Sequence, residues 1–570
     1  MVTLTIDNKT VSVPNGTTIL DAAKTLGIHI PTLCYLREIN EVASCRICAV
    51  EVEGVDKLAT ACNTQVENGM VVHTNTQRVR LTRKTNVELI LSQHIDHCVT
   101  CVRSGNCSLQ TLSKAMNIRS VPFRKEATQR PWDPALPILR DSAKCIKCLR
   151  CVSVCERVQS LGIWEVTGSG AHTTVRIRGG LAMDQSGCAL CGQCVVHCPV
   201  GALQERDDTE AVFAALSDPT KEVVFQIAPA VRAAWGESLG LPPDRATEGR
   251  LAAAVRALGV QHVFDTTFSA DLTILEESHE LLQRLEAGDK LPLFTSCCPG
   301  WVRFVRTEYP EMAGHLSTAK SPQQMFGAVA KSYFAETLGK DPKDIFCVSV
   351  MPCTGKKYEA AVPEVNAGPH RDVDVVLTTR ELDRMLLAMQ INVTGLPEEE
   401  FDDPLGRGSG AGVIFGVTGG VMEAALRTAY WKLTGSNPPT DAFRELRGQK
   451  PWRDAVFSIG QTDLRLAVVS GLAAARELMD ALRAGQVQYD FVEVMACPGG
   501  CSGGGGQPIH DGEDFAPQRG DQLYRLDQDN PLRFSHENPT VQALYQSYFD
   551  HPLSEKAHRL LHTDQSQWTL

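Results

Sequence analysis

The chain has 570 residues, 43% of them hydrophobic, and a formal net charge of −11 at pH 7. That length makes about four domains of ~150 residues, and the negative balance argues against nucleic acid, whose phosphates select basic surfaces. No apolar run approaches the roughly 20 residues of a membrane span, and Met1-Val-Thr-Leu-Thr-Ile6 has no basic start, twin arginine or cleavage site, so the expected setting is cytoplasmic and away from membranes. Twenty-one cysteines clustered at two-residue spacings in such a chain read as metal ligands rather than disulfides. Only Cys347 stands outside a motif; inside the apolar run Ile345–Val350 it reads as structural.

Residues 1–78 open with two alternating runs, Val2–Ile6 and Thr10–Val13, around Asp7-Asn8-Lys9, which predicts a hairpin. A helix is expected from Thr18 to Leu26, with Gly27 to end it. Cys34, Cys45, Cys48 and Cys62 follow in the spacing C-x10-C-x2-C-x13-C. A close central pair with two outliers is the plant-type ferredoxin arrangement around a 2Fe-2S cluster; zinc is the plainer alternative. Residues 79–125 carry His94-x3-Cys98-x2-Cys101-x5-Cys107, which alone would also suit a zinc site of three cysteines and one histidine; His97 is a competing ligand.

Residues 126–208 contain a duplication, Cys145-x2-Cys148-x2-Cys151-x3-Cys155 and then Cys188-x2-Cys191-x2-Cys194-x3-Cys198-Pro199. In the bacterial two-cluster ferredoxin run the fourth cysteine of each set serves the other cluster. The expected sets are therefore Cys145, Cys148, Cys151 and Cys198, and Cys188, Cys191, Cys194 and Cys155. Glu156 stands where proline would close the first run, which bears on the turn and not on the ligands.

From 209 to 525 apolar runs at Val223–Ala228, Leu291–Phe294, Ile345–Val350, Val373–Leu377 and Phe491–Met495 suit buried parallel strands. Helices are expected between them, at Asp271–Leu285 and Thr379–Met389. Three motifs begin where such strands end: Thr295-Ser-Cys297-Cys298-Pro-Gly-Trp301, Met351-Pro-Cys353-Thr-Gly-Lys356-Lys357, and Met495-Ala-Cys497-Pro-Gly-Gly-Cys501-Ser-Gly-Gly-Gly-Gly506. Ligand sites of open α/β sheets form in that crevice, so the cysteines are expected to converge on one metal site. Residues 526–570 read as a separate polar, helical segment.

The three motifs resemble the signatures of FeFe-hydrogenases, and the resemblance covers essentially the whole chain, in the manner of the large modular clostridial type. It implies a multidomain α+β and α/β fold. Its parts are a β-grasp plant-type ferredoxin domain, a 4Fe-4S domain with one histidine and three cysteines as ligands, a two-cluster ferredoxin domain, an α/β catalytic domain with parallel sheets, and a C-terminal segment like the family's small subunit. The 2Fe-2S spacing and the His94 motif are similar to those of hydrogenases and of the large iron–sulfur subunit of respiratory complex I, which implies iron–sulfur rather than zinc there, with His94 as ligand. The implied cofactors are one 2Fe-2S cluster, three accessory 4Fe-4S clusters and the H-cluster, a 4Fe-4S part joined to a diiron subcluster with CO, CN and a dithiolate bridge.

Carried over by motif, Cys298, Cys353, Cys497 and Cys501 match the H-cluster ligands, with Cys501 bridging the two parts. Lys356 would face a cyanide, Ala228 and Pro229 would give backbone contact, Ser321 and Gln323 would line the pocket, and Met351, Met495 and Phe415 would pack it. Gly355 replaces a serine common in clostridial members. Cys297 matches the proton-donating, non-ligand cysteine, with a relay through Glu277, Ser317 and Glu280 towards Arg284 at the surface. The plain alternative for Glu277, Glu280 and Arg284, at helical spacings of three and four, is a solvated helix face.

The implied activity is reversible hydrogen formation, with ferredoxin or a similar carrier as electron partner and maturation proteins to install the H-cluster. The same architecture also serves as one subunit of an NAD(P)-linked, electron-bifurcating complex. No G-x-G-x-x-G opens a βαβ unit, so flavin or nicotinamide would then belong to partner subunits. Non-catalytic alternatives fit less well. Sensory relatives lack the proton-donating cysteine, the iron–sulfur assembly relative lacks the diiron pocket motifs, and a pure electron-transfer subunit would share only residues 1–208.

Overall fold

A computed structural model describes residues 1–439, 442–459 and 462–569. It divides into two compact units. The first holds Met1–Val158, Gly162–Ala182 and His197–Gln204; the second holds Gln159–Leu161, Met183–Val196 and the chain from Glu205 onward. The stretch expected as one two-cluster domain at 126–208 is therefore shared, with Cys145, Cys148, Cys151, Cys155 and Cys198 in the first unit and Cys188, Cys191 and Cys194 in the second.

In the first unit the hairpin forms as expected, Val2–Ile6 against Lys9–Val13, with Ile6 paired to Lys9. Asp7 and Asn8 make the turn at φ 45° and 66°, left-handed angles that Asp and Asn tolerate best among residues with a side chain. Val2–Ile6 also pairs, in parallel, with Val71–His73, inside a five-stranded sheet completed by Ala49–Val52 and Ala59–Thr60. Helix Ile19–Thr25 packs Ile19, Leu20 and Ala23 into the same core as Leu4, Ile6, Val50 and Val72. The Thr18 hydroxyl caps it by accepting the Asp21 amide. Helices Gln77–Ser92 and Ser108–Ala115 flank the His94 motif.

The second unit is built on two four-stranded sheets. One is wholly parallel, in the order His262–Asp265, Glu222–Ile227, Ile345–Met351, Val375–Thr378. The other runs Leu293–Phe294, Phe491–Met495, Thr462–Ser470, Trp452–Ile459, with the last strand antiparallel. All five expected strands are present. The run expected from Leu291 pairs only from Leu293, since Pro292 has no amide proton to offer a ladder. The Val373 run begins at Val375. Strand His262–Asp265 and the hairpin Trp452–Ile459/Thr462–Ser470 were not expected.

Helix Thr266–Ala287 is capped by the Asp265 carboxylate on the Thr267 amide and stopped by Gly288 at φ 63°. It is buried on every side from Thr266 to Ser278, which is why its sequence shows no clean apolar stripe. The C-terminal segment expected from 526 is helical and packs into the core of the second unit. Helix Ala516–Asp529 runs straight through the 525/526 boundary, and Val541, Leu544, Tyr545, Phe549, Ala557, Leu560 and Leu561 are buried in the same core as Phe264, Phe268 and Phe326. The segment reads as polar because few residues per turn point inward, but those few are large. No described helix is long and apolar enough to cross a membrane.

Candidate metal and proton-transfer site

The ends of Leu293–Phe294, Ile345–Met351 and Phe491–Met495 lead into Cys297 and Cys298, Cys353, and Cys497 and Cys501. Cys298 caps helix Pro299–Glu308, and Cys501 lies in the turn Gly500–Gly503, entered through Gly499 and Gly500 at φ 75° and 77°. All five thiols line one cavity with about 750 Å³ of empty space, together with Ala228, Pro229, Gln323, Met351, Lys356, Phe415 and Met495. Glycine is required beside them, because a Cβ on Gly504 would collide with the Pro352 carbonyl and one on Gly506 would stand 2.7 Å from the Cys353 amide nitrogen.

Burial pushes the thiols of Cys298, Cys353, Cys497 and Cys501 above the ordinary range, Cys353 to about 11. Mutual repulsion adds to this for the last three. Four such sulfurs become thiolates in a dry cavity when a multivalent cationic centre binds them, so the donor set fits an iron–sulfur cluster. Among the described residues no group of three or more His, Cys, Asp or Glu is placed to hold a single metal ion. The ferredoxin-type loop meets the same motifs: Cys497 Sγ lies 3.7 Å from the Cys191 carbonyl, Gln193 Nε2 donates to the Gly503 carbonyl at 2.9 Å, and Thr354 Oγ1 to that of Leu190 at 2.8 Å.

Lys356 is not a solvated turn lysine. Its Nζ donates to the Cys297 carbonyl at 2.9 Å and to Glu359 Oε2 at 2.8 Å. Burial opposes its charge, yet the Glu359 carboxylate more than offsets that and keeps the ammonium protonated. Ser321, expected to line the pocket, is not among the residues that line the cavity; its hydroxyl donates to Glu359 Oε2 at 2.9 Å, beside Gln323 Nε2 at 3.1 Å. Sequence reading missed Glu359, although it sits one helical turn after Lys356, where an opposite charge belongs.

The helix face carrying Glu277 and Glu280 is buried, against the solvated alternative. Burial and then the Glu280 charge push the Glu277 carboxyl up to about 8, with hydrogen bonding to Ser317 working against them, and its Oε2 has no partner among the described residues. Burial, with Glu277 next in weight, holds the Cys297 thiol well above its usual range. Ser317 Oγ donates to Glu280 Oε2 at 2.8 Å, and Arg284 meets Glu280 Oε1 at 2.5 Å. Arg284, expected at the surface, leaves only 11% of its side chain exposed, because its guanidinium also donates to the His315 and Leu316 carbonyls.

In the first unit Cys48 and Cys62 are 3.3 Å apart at sulfur, and Cys34 and Cys45 form a second hydrogen-bonded pair, an arrangement suited to two irons with two thiolates each. His94 is buried, with Nδ1 on the Lys144 carbonyl at 2.9 Å, whereas His97 is exposed. With Nδ1 so engaged, Nε2 would be the atom His94 offers a metal, and His94 lines a cavity with Cys98, Cys101 and Cys107. Cys145, Cys148, Cys151 and Cys198 line a further cavity. Cys155 is buried, its sulfur accepting the Ile163 amide at 3.4 Å. Cys347 is wholly buried in its strand.

Family models match in chain order. They are a 2Fe-2S iron-sulfur cluster binding domain at residues 1–77, the NADH-ubiquinone oxidoreductase-G iron-sulfur binding region at 83–122, a 4Fe-4S dicluster domain at 144–202, the C-terminal domain of the iron only hydrogenase large subunit at 221–505, and the iron hydrogenase small subunit at 513–566. The chain is 50% identical to NADP-reducing hydrogenase subunit HndD of Solidesulfovibrio fructosivorans over 99% of this chain and 98% of that protein. It is 39% identical to Iron hydrogenase 1 of Clostridium pasteurianum over 99% of both. Among solved structures, a variant of apo [FeFe]-hydrogenase HydA1 of Chlamydomonas reinhardtii matches 62% of this chain and 98% of its own at 44% identity and TM-score 0.56. With strand-end thiols around one buried cavity and iron–sulfur binding domains ahead of it, the chain belongs to the iron-only, or FeFe, hydrogenase family.

Proposed function

We propose that this chain is the hydrogen-activating subunit of an NADP-linked hydrogenase complex, interconverting protons, electrons and hydrogen at a buried H-cluster. The observation that carries the catalytic reading is the convergence of Cys298, Cys353, Cys497 and Cys501 on one cavity that Cys297 also lines; the contacts of Glu280 with Ser317 and Arg284 support a proton route. Cys298, Cys353, Cys497 and Cys501 would hold the 4Fe-4S part, Cys501 also the diiron part. When bound, that group supplies the centre where hydrogen is made or split. Lys356 offers it a fixed ammonium, and Met351, Phe415 and Met495 keep water away. Cys297 hands protons between the cavity and Glu277. Ser317 and Glu280 carry them on towards Arg284. Electrons reach Cys497 through the Cys191 loop, whose carbonyl it touches.

The nicotinamide link is supported by the 50% identity to an NADP-reducing subunit along almost the full length, against 39% to Iron hydrogenase 1. It displaces ferredoxin as the leading electron partner. Ferredoxin remains the second reading, supported by the full-length similarity to Iron hydrogenase 1. The test is to purify the protein from its native cells and assay NADP reduction by hydrogen before and after separating any flavin-containing subunits. Activity should depend on those subunits. A preparation without them that exchanges electrons with ferredoxin at full rate would overturn the NADP-linked reading.

A further inference from the structure

The last acid of the relay is held by a loop that the C-terminal segment holds in turn. Glu280 accepts the Ser317 hydroxyl at 2.8 Å and the Thr318 amide at 3.1 and 3.2 Å. Thr318 is itself clasped by the chain's last residues: its carbonyl accepts the Thr563 amide at 2.8 Å, the Lys320 amide donates to the Leu561 carbonyl at 2.8 Å, and Ala319 bridges antiparallel to His562. One contact in this clasp is made by side chains, Thr318 Oγ1 to His562 Nδ1 at 2.9 Å.

His562 sits in a buried polar network. Its Nε2 is 3.0 Å from Glu276 Oε2, and the two side chains are 1% and 0% exposed. Glu276 also accepts the Tyr545 hydroxyl at 2.5 Å and the Leu553 amide at 2.8 Å. The Glu276 oxygen facing Nε2 makes that ring nitrogen the donor, so Nδ1 accepts from the Thr318 hydroxyl. The other charged or titratable groups around the network are Glu280, one turn further along the same helix, Arg284 bound to Glu280, and His558, stacked on His562 at 4.7 Å. Backbone pairing alone would anchor the segment. A carboxylate, an imidazole and a phenol sunk into the core beside the relay do more, because they fix one rotamer of Thr318.

We propose that His562 is a positioning residue of the proton relay, supplied by the C-terminal segment: it pins Thr318 and through it the orientation of the Glu280 carboxylate towards Ser317. The proposal rests on the relay reading above. His562 itself passes no proton in turnover.

The test uses the full-length, matured protein with Thr318→Val, which keeps the amide and removes the hydroxyl, with His562→Gln, and with Thr318→Ser as the conservative rescue. Hydrogen evolution with an artificial donor is measured in H2O and D2O, beside the infrared bands of bound CO and CN as a check on the assembled site. Small misplacements of reacting groups can cost up to about 100-fold, so the valine and glutamine variants should lose on the order of tenfold, with a larger solvent isotope effect, unchanged infrared bands and recovery in the serine variant. Glu280→Gln separates the two readings. If it raises the isotope effect while Thr318→Val and His562→Gln do not, the positioning role is wrong and the relay stands. If Glu280→Gln leaves the isotope effect unchanged, the relay and the positioning role fall together.

Discussion

Replacing Glu277 by glutamine keeps the shape of a fully buried side chain and removes its ability to carry a proton. The carboxyl is held near 8 by burial, with the Glu280 charge next, so at neutral pH it is a protonated donor beside Cys297 rather than a carboxylate. The sign follows directly: raising the pH through 8 ionises Glu277, and an anion there also opposes any negative charge on the Cys297 sulfur. The protonated fraction falls from about nine-tenths at pH 7 to just under one-tenth at pH 9, so proton-limited turnover should drop roughly tenfold across that window. Glu277→Gln should lie about 10²–10⁴-fold below the wild type, the usual contribution of a general acid–base group, and should lose the step near pH 8. Exchange of hydrogen gas with D2O is the assay of choice, because it needs the relay but no external electron donor. A wild-type rate flat between pH 7 and 9, or a glutamine variant within tenfold of the wild type, would refute the reasoning.

Cys297→Ser should abolish hydrogen evolution while the CO and CN infrared bands persist, whereas Cys298→Ala should lose them; normal activity in the serine variant would remove Cys297 from the relay. Lys356→Met strands the Glu359 carboxylate in the core, and breaking a buried pair costs about 3–5 kcal/mol; denaturation of Lys356→Met/Glu359→Gln should recover most of that stability, while its infrared bands show no diiron group retained. Gly504→Ala should lose iron from the catalytic domain with the 2Fe-2S signal intact by electron paramagnetic resonance, since a Cβ there meets the Pro352 carbonyl. The chain expressed without maturation proteins should contain iron–sulfur clusters and show no hydrogen activity until a synthetic diiron compound is added.

The cavity's thiols were legible because cysteine near a strand end, followed by turn-forming residues, announces itself in one dimension, and each of Cys298, Cys353, Cys497 and Cys501 lines the cavity. Turn chemistry was equally local, as at Asp7-Asn8 and at Gly288. What escaped depends on contacts between distant segments. Trp452–Ile459 alternates between partly buried and exposed residues and has no apolar run to betray it. Glu359 looks like any helix-end acid until Lys356, Ser321 and Gln323 are seen to share its one oxygen. The C-terminal segment hides such a contact, because two of its polar side chains do not face water: His562 and Tyr545 both meet Glu276 in the core, 286 positions apart at the widest. A buried polar group is stable when its partners are complete, and completeness is invisible along the chain. That is also why the motifs point only as far as Glu280 and Arg284, while the side chain that holds Thr318 beside Glu280 comes from a segment whose sequence reads as separate and polar.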